Sequence, residues 1–459
     1  MDAPATTDIR TFPPAPNVPL GMLARMKDMR TFHTGLAHIR DAGGPVAIVR
    51  LGPSWLVPPF AVVTSPQGAH DVLAGSDGTF DKEMIVHVQT RLLGTNVFDL
   101  PHAPWKARRR ALQPAFTKKQ VSGYAGHMAQ VAEERTAALI GDGQVDLDEE
   151  MRRLTLHVVG RSVFGLDLGE QAHELGPHVR RSLQYVTNRS LRPVRAPAWL
   201  PTPARRRLNR SLGAIRAVVE EAIDTARSDP EKDAQLVWLL FDATDPETGK
   251  SLSREAIRDE LVVFLLAGHD TTATTLAYTL WALGRNPEIQ DRVAAEAAAL
   301  GDRPLVVEDV PNLPYTVQVL HEALRICPPA PALGRMAMRD AVVDGYRISA
   351  GTNVIIGAYA LHHDPALWTD PERFDPDRFS PDRMKAVDRW QYFPFGAGPR
   401  SCIADHFAML EATLGLATMV RDARFESLEA DFPLALPFTM TAGGPIPARV
   451  TARRQALVG

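Results

Sequence analysis

Apolar residues recur every three or four positions through the middle of this chain, which is the pattern of amphipathic and buried helices. The pattern dominates from about residue 100 to about residue 330. Its longest examples are PARRRLNRSLGAIRAVVEEAIDTARSD (203–229) and ELVVFLLAGHDTTATTLAYTLWALGRNPE (260–288). The sequence therefore predicts a protein that is mainly α, with long helices at its centre.

Short β-branched runs flank this helical part on both sides. PVAIVRLG (45–52) and FAVVTS (60–65) precede it, whereas AVVDGYRI (341–348) and TNVIIGAYAL (352–361) follow it. Glycine and proline separate the runs, so each predicts a strand. Because no repeat or low-complexity linker divides the chain, we expect one cooperative domain, 1–459, with a small β region.

The composition narrows the class of protein. The chain is 45% hydrophobic and 23% charged, with a net charge of −3, which is ordinary globular composition without a bias toward nucleic acid. Its longest apolar runs fall short of the ~20 residues of a membrane span, and the N-terminus lacks a signal-peptide pattern. We expect a monomeric cytoplasmic protein without a transmembrane segment.

Cysteine is rare, and one of the two cysteines stands just before a predicted helix. Cys402 lies in FPFGAGPRSCIADHFAMLE (393–411), where the helical pattern begins at Ala404 or Asp405. Two thiols, the other being Cys327, cannot build a disulfide framework or a four-thiolate zinc site. Because the N-terminus of a helix favours an anion, we expect the pKa of the Cys402 thiol to be lowered.

The residues before this thiol have an unusual spacing, Phe395-x-x-Gly398-x-Arg400-x-Cys402. Glycine has no side chain, so Gly396 and Gly398 allow the backbone to lie flat against a large ligand. Arg400 adds a fixed cation close to the thiol. A buried free cysteine in a turn is the simpler interpretation of a lone thiol, but it does not explain this spacing.

The stretch resembles the haem-ligand loop of the cytochrome P450 superfamily, the haem-thiolate monooxygenases. The resemblance implies the P450 fold and a bound haem b with the Cys402 thiolate as axial iron ligand, a ligand that favours O–O cleavage. It also implies that Phe395 and Gly396 lie against the porphyrin and that Arg400 meets a propionate. Ala404 departs from the family, which more often has glycine there.

A long helix with an unusual threonine run is predicted in the middle of the chain. Ser253 can cap its start, and Pro287 follows its expected end at Asn286. About 33 residues at 1.5 Å each span ~50 Å, enough to cross a domain. A threonine hydroxyl can bond the carbonyl four residues back, which for Thr271 belongs to Ala267. A buried helix with a satisfied polar patch is the alternative interpretation.

This helix also carries a motif that matches the family. Ala267-Gly268-x-Asp270-Thr271-Thr272 resembles the oxygen-activation motif of the long distal helix of P450 proteins. The resemblance implies that Ala267 borders the haem and that Asp270 and Thr271 act catalytically by delivering protons and water.

Glu322 and Arg325 have a spacing that is weak by itself, because Glu149 and Arg152 share it and are expected to form an exposed helical ion pair. Prolines directly after Cys327 end the predicted helix of Glu322. The resemblance implies that Glu322 and Arg325 join Arg373, in PERF, in a buried structural charge network.

Three more residues are implied to bind haem propionates. Trp105 and Arg109 are four apart and therefore share a helical face, and Arg335 follows the helix that contains Glu322. Neighbouring cations are expected near the cysteine side, either as a patch for an acidic electron carrier or as a solvated face: Lys106, Arg108 and Arg110.

The predicted reaction inserts one O₂ atom into an apolar substrate, by hydroxylation or epoxidation. No flavin domain or ferredoxin module is recognisable after Cys402, so NAD(P)H electrons are expected through a separate ferredoxin or flavodoxin and its reductase. A haem-thiolate peroxygenase or isomerase is the alternative, and a non-catalytic haem sensor or carrier is a further one. The expected pocket residues are uncharged: Ala267, Ala330, Ala332 and Leu333.

The substrate stays open between a fatty-acid-like lipid and a terpenoid. LLAGHDTT (265–272) and the helix after Cys402 look most like fatty-acid-hydroxylating members of the family. However, GPSWLVPPF (52–60) lacks the cation that some of those members use to hold a carboxylate.

Overall fold

The structure is a computed structural model that describes residues 8–82, 93–168, 171–190, 200–229, 234–435 and 439–453. These residues form a mainly helical protein with small sheets. The α-helices are α1 (Met22–Arg30), α2 (Phe32–Gly43), α3 (Pro66–Leu73), α4 (His102–Leu112), α5 (Lys118–Ser122), α6 (Ala125–Asp142), α7 (Leu147–Val159), α8 (Gln171–Ser190), α9 (Pro203–Ser228), α10 (Gln235–Phe241), α11 (Arg254–Arg285), α12 (Pro287–Ala298), α13 (Pro314–Ile326), α14 (Ala358–His362), α15 (Pro381–Met384) and α16 (Asp405–Asp422).

Short helical turns of other types join several of these helices. A π-helical turn follows α7 at Gly160–Phe164, and the 3₁₀ turns are Ile9–Thr11, Gln113–Phe116, Val307–Asn312 and Pro376–Phe379.

Most strands lie on either side of the helical part, as expected from the pattern. The strands are β1 (Val46–Val49), β2 (Phe60–Val63), β3 (Phe80–Asp81), β4 (Gln144–Asp146), β5 (Leu333–Ala337), β6 (Ala341–Val343), β7 (Tyr346–Ile348), β8 (Asn353–Ile356), β9 (Ala423–Ser427), β10 (Leu434–Ala435), β11 (Thr441–Ala442) and β12 (Pro447–Ala452). However, β4 lies within the helical part, and the strands after residue 422 were not predicted. The largest sheet has the order β1-β2-β8-β5-β3, in which β2 and β8 are parallel. This parallel pair joins the N-terminal strands to the strands that follow the helical part.

The longest helix crosses the protein as expected from its sequence signals. The Ser253 hydroxyl caps α11 by accepting from the Ala256 amide, and Asn286 closes the helix before Pro287 opens α12. Its 32 residues correspond to about 48 Å. It packs against α7, α9, α13 and α16, so most of its length is buried.

Two details differ from the predicted elements. Only the first part of TNVIIGAYAL is a strand, because the chain turns at Gly357 and continues as α14 (358–362). AVVDGYRI folds into a hairpin, in which Asp344 and Gly345 both have positive φ, as a tight two-residue β-turn requires.

The helix after the cysteine begins where the pattern placed it. Ala404 is the N-cap residue of α16 (405–422), and Cys402 lies two residues before it. α16 packs against α6 and α11 in the main helical core. A second core surrounds the five-stranded sheet and includes Phe393 and Ala397 of the cysteine loop. The loop therefore lies where the helical part and the sheet meet.

Candidate active site

The cysteine loop is held by its own backbone and pressed against α3. The Cys402 amide donates to the Phe395 carbonyl at 2.8 Å. Gly396 and Gly398 have φ of +70° and +71°, a left-handed conformation that favours glycine. A Cβ on Gly398 would lie 1.8 Å from the carbonyl oxygen of Leu73. The requirement for glycine at 398 thus comes from the contact with α3.

Cys402 has protein atoms on most sides but keeps accessible surface. Burial raises its pKa, and this outweighs the opposite effects of the Ala404 amide, Arg109 and Lys82. The expectation of a lowered thiol pKa is therefore wrong for the protein alone. The reason is that desolvation of the thiolate exceeds the stabilisation available at the helix N-terminus.

Four cations lie close to the cysteine loop, namely Lys82, Arg109, Arg335 and Arg400, and in the described part of the chain only Arg400 forms an ion pair, with Asp81. Arg335 is 5% exposed, and its guanidinium donates to the Gly334 carbonyl at 2.8 Å. Burial and the nearby Arg400 lower the pKa of Arg335 to about 10. Burial, Arg335 and Arg400 lower the pKa of Lys82 to about 7. Such a surplus of buried positive charge fits an anionic ligand.

Arg400 is fixed more firmly than its neighbours. Its guanidinium bonds Asp81 at 2.5 Å and the Leu100 carbonyl at 2.9 Å. It also lies over the ring of Trp105, 4.4 Å from the centroid. Much of its bonding capacity is used inside the protein, so Arg335 and Lys82 are better placed to meet an anion. Sequence reasoning missed Lys82 because no local motif marks it.

Trp105 and Arg109 share the expected face of α4 (102–112). Trp105 is buried against Arg400. Arg109 donates to the Ser401 carbonyl at 3.0 Å, directly beside the cysteine. The structure thus brings both residues to the cysteine loop.

The neighbouring cations do not form the free basic patch considered above. Arg108 pairs with buried Glu260 at 2.6 Å, and Arg110 pairs with Asp245 at 3.0 Å. Lys106 is half-buried. Arg108 and Arg110 therefore tie α4 to acids in and just before α11, and only part of their charge is offered to a partner.

The threonine run of α11 has the predicted local bond. The Thr271 hydroxyl donates to the Ala267 carbonyl at 2.8 Å. Ala267 is exposed, and Gly268 and Thr271 are half-buried, although most neighbouring residues of the helix are buried. This face of the helix is therefore incompletely covered by the rest of the described protein. Ala330, Ala332 and Leu333 are likewise only partly buried.

The Asp270 side chain is bonded to residues that are distant along the chain. Its carboxylate pairs with Arg152 and accepts a bond from the Thr439 hydroxyl. Arg152 also bonds Asp148 at 2.9 Å, so the expected exposed pair with Glu149 is wrong. A cavity of about 300 Å³ borders this cluster, between α7, α8 and the β10–β11 hairpin. Sequence reasoning missed Arg152 and Thr439 as partners because both are distant along the chain.

The buried charge network exists, but its third member differs from the prediction. Arg325 bonds Glu322 at 2.7 and 2.8 Å, and both side chains are fully buried. A second guanidinium, that of Arg378, also donates to the Glu322 carboxylate, at 3.2 Å. Arg373 is exposed and contributes only its backbone carbonyl, 3.4 Å from Arg325. The correct motif is PDRF (376–379), whose 3₁₀ turn packs against α13.

The fold and the site define a class of mainly helical proteins with one thiol among buried cations and a long threonine-rich central helix. The family model of cytochrome P450 matches residues 12–448, and the chain belongs to the cytochrome P450 family. The predicted family and fold are confirmed. Membership makes the protein an oxidoreductase of the monooxygenase type, with haem iron as cofactor and O₂ as co-substrate.

Several curated relatives are similar over most of their length. Cyclooctat-9-en-7-ol 5-monooxygenase of Streptomyces melanosporofaciens is 34% identical over 88% of both chains. Cyclooctatin synthase of the same species is 32% identical, again over 88% of both. Pentalenene oxygenase of Streptomyces avermitilis is 32% identical over 84% of this chain and 85% of its own. Among the residues that the structure describes, no helix has the length and apolar character of a membrane span.

Proposed function

We propose that this monooxygenase holds haem b through Cys402 and oxidises an apolar, terpenoid-like substrate. The observation that carries the haem assignment is the buried cation Arg335 near the thiol loop, which forms no ion pair within the described residues, together with Lys82 and Arg109. Bound haem supplies the iron at which O₂ is reduced and cleaved. Metal binding to a thiol requires the thiolate, so coordination is coupled to loss of the Cys402 proton.

The cations hold the acidic edge of the cofactor. Arg335 offers a guanidinium without a carboxylate partner in the described residues, and Arg109 reaches the Ser401 carbonyl from α4. The ring of Trp105 lies against the Arg400 guanidinium, which helps to fix this loop arginine. Phe395 and Gly396 form the loop backbone on which Cys402 is anchored.

Protons reach the reacting oxygen through α11. Thr271 lies on the partly open face of the helix, whereas Asp270 faces the polar cavity near Arg152. Release of the carboxylate from Arg152 or Thr439 lets it turn toward Thr271 and carry a proton inward. The cavity, at about 300 Å³, has room for the water that recharges it.

The proposed substrate class rests on the residues expected to line the substrate pocket and on the names of the similar proteins. Partly exposed Ala267, Ala330, Ala332 and Leu333 offer apolar surface without charge. Two of the relatives are named for oxidation of cyclooctat-9-en-7-ol and of pentalenene. The segment 52–60 contains no cation for a carboxylate, so a cyclic, mainly hydrocarbon molecule fits better than a fatty acid.

Electrons come from NAD(P)H through a separate ferredoxin or flavodoxin and its reductase, and the chain acts as one domain, 1–459. Arg109 bonds the Ser401 carbonyl beside the cysteine, and half-buried Lys106 belongs to the same helix, α4, which suits an acidic carrier. We place the enzyme in the cytoplasm as a monomer.

Cysteine replacement tests the haem assignment. The reduced, carbon-monoxide-bound protein is expected to show the red-shifted Soret band of thiolate-ligated haem, and Cys402→Ala is expected to remove it. Cys327→Ala is the matched control, because Cys327 is buried and burial raises its thiol pKa to about 12. A band that persists in Cys402→Ala contradicts the assignment.

A ligand screen tests the substrate class. Cyclic terpenes and terpene alcohols are expected to give the spin-state shift that displacement of a distal water produces, and long-chain fatty acids are expected to give a weaker one. NADPH-dependent product formation with ferredoxin and reductase separates a monooxygenase from a peroxygenase, an isomerase or a haem carrier. Tight binding of fatty acids alone contradicts the terpenoid assignment.

A further inference from the structure

His362, the last residue of α14 (358–362), is fully buried and bonded on two sides. Its backbone carbonyl accepts from the Arg325 guanidinium at 2.8 Å. Its imidazole Nε2 accepts from the backbone amide of Phe393 at 3.2 Å. The residue therefore touches both the buried charge network and the first residue of the segment that carries the cysteine.

The bonds continue from Phe393 to the cysteine itself. The Phe393 carbonyl accepts from the Gly396 amide at 2.9 Å, and the Phe395 carbonyl accepts from the Cys402 amide at 2.8 Å. A path of hydrogen bonds and adjoining backbone thus runs from the ion pair of Arg325 to the amide of Cys402. The imidazole of His362 is the side chain that joins α14 to the loop in this path.

We infer that His362 is a positioning residue that couples the Glu322–Arg325 ion pair to the cysteine loop and so fixes Cys402 for metal ligation. The inference rests on the proposed role of Cys402 as the haem ligand. It assigns no chemical step to His362, whose effect is transmitted through the backbone of Phe393.

The protonation state of the ring agrees with this role. Nε2 accepts a bond, so the neutral ring carries its proton on Nδ1. Burial, His363 and Arg325 lower the pKa of His362 to about 3, which keeps the ring neutral. Nδ1 is buried and has no hydrogen-bond partner among the described residues. An apolar side chain here avoids that unpaired group, so the bond to Phe393, rather than space filling, explains an imidazole.

The neighbouring histidine provides a matched control. His363 is also buried, and burial lowers its pKa to about 4. As the C-cap residue of α14, it bonds the Tyr359 carbonyl at 3.0 Å through its Nδ1, and its ring stacks on Tyr359 at 3.8 Å between centroids. It makes no bond to the cysteine loop in the described residues. Loss of its imidazole therefore perturbs the same helix without cutting the path.

The test measures amide hydrogen exchange of the haem-loaded protein, in peptides that cover 393–402, together with the Soret band of the reduced carbon monoxide complex. In His362→Leu, exchange of these amides is expected to rise about fivefold to tenfold, as for the loss of one buried hydrogen bond. Part of the red-shifted band is expected to convert to the band of a haem without thiolate. His363→Leu is expected to leave both readouts unchanged.

His362→Gln separates the hydrogen bond from the fold. The glutamine amide oxygen reaches the position of Nε2 and can accept from Phe393, so both readouts are expected to return close to wild type. If His362→Leu does not fold, a folded His362→Gln with protected loop amides still supports the role. If that variant folds and its loop amides are unprotected, the role is contradicted.

Two results overturn the inference directly. One is loop exchange in His362→Leu that equals that of the wild type, and the other is an equal rise in His363→Leu. Failure of the proposed function gives a different outcome, because the wild type then lacks the red-shifted band while the exchange comparison still reports on the bond to Phe393.

Discussion

Substitution of Arg378 is expected to destabilise the protein far more than substitution of Arg373. The Arg378 side chain is 11% exposed, bonds Glu322 at 3.2 Å and donates to the Asp370 carbonyl at 2.7 Å. In Arg378→Ala, Glu322 keeps its bonds to Arg325 but loses one charged partner, and neighbouring carbonyls lose their donor. Hydrogen bonds to charged groups contribute about 1.5–3 kcal/mol each.

The expected loss of unfolding free energy is therefore about 3 kcal/mol, which is roughly a hundredfold in the folded-to-unfolded ratio. This loss lies at the low end of the range for breaking a buried ion pair, about 3–5 kcal/mol, because Arg325 still neutralises Glu322. Arg373→Ala is expected to change stability by about 0.5 kcal/mol or less. Arg373 is exposed, and the carbonyl that it offers to Arg325 belongs to the backbone and survives the substitution.

The assay compares the urea midpoint and the haem retained per protein for wild type, Arg378→Ala and Arg373→Ala. Arg378→Ala is expected to unfold at lower urea and to lose haem first, with an unchanged slope. Arg373→Ala is expected to overlay the wild type. Equal losses in the two variants, or a larger loss in Arg373→Ala, would show that the network has been assigned to the wrong arginine.

Three further predictions test other parts of the molecule. Thr271→Ala is expected to keep consuming NAD(P)H while less product and more hydrogen peroxide form. Thr272, ~100° around the helix, is buried, and Thr272→Ala is expected to change the ratio of product to peroxide little. Equal effects of the two substitutions refute the assignment of Thr271. Glu411 has no hydrogen-bond partner among the described residues, and burial raises its pKa, so the native carboxyl keeps its proton where the unfolded chain has lost it. The contribution of this carboxyl to the free energy of unfolding is complete below the unfolded pKa and falls as pH rises, by up to ~1.4 kcal/mol per pH unit. Urea unfolding of Glu411→Gln between pH 5 and 8 is expected to lack this pH-dependent loss. A pH dependence equal to that of the wild type contradicts the prediction. Gly398→Ala is expected to lower the free energy of unfolding by about 3 kcal/mol or more, because the new Cβ would lie 1.8 Å from a carbonyl oxygen. Gly126 faces open space within α6, so Gly126→Ala is expected to be neutral or stabilising in the same urea assay.

Much of the fold was determined by short stretches of sequence acting locally. The start and end of α11 (254–285) follow from Ser253 and Pro287, because capping and proline geometry involve only neighbouring residues. The bond from Thr271 to Ala267 spans one helical turn. The loop of Cys402 was recognisable because its glycines, arginine and thiol lie within a few residues of one another. Such features need no knowledge of the rest of the chain.

Only the tertiary structure decided which distant groups meet. Asp270 bonds Arg152 and Thr439, which lie 118 and 169 positions away, and no local pattern links them. PERF and PDRF are nearly the same tetrapeptide, and packing against α13 selects Arg378 over Arg373. The pKa of Cys402 rises because surrounding elements remove water from the thiol, which outweighs the local helix terminus. Ion pairing and desolvation depend on the sum of neighbours in space, and that sum exists only once the chain has folded.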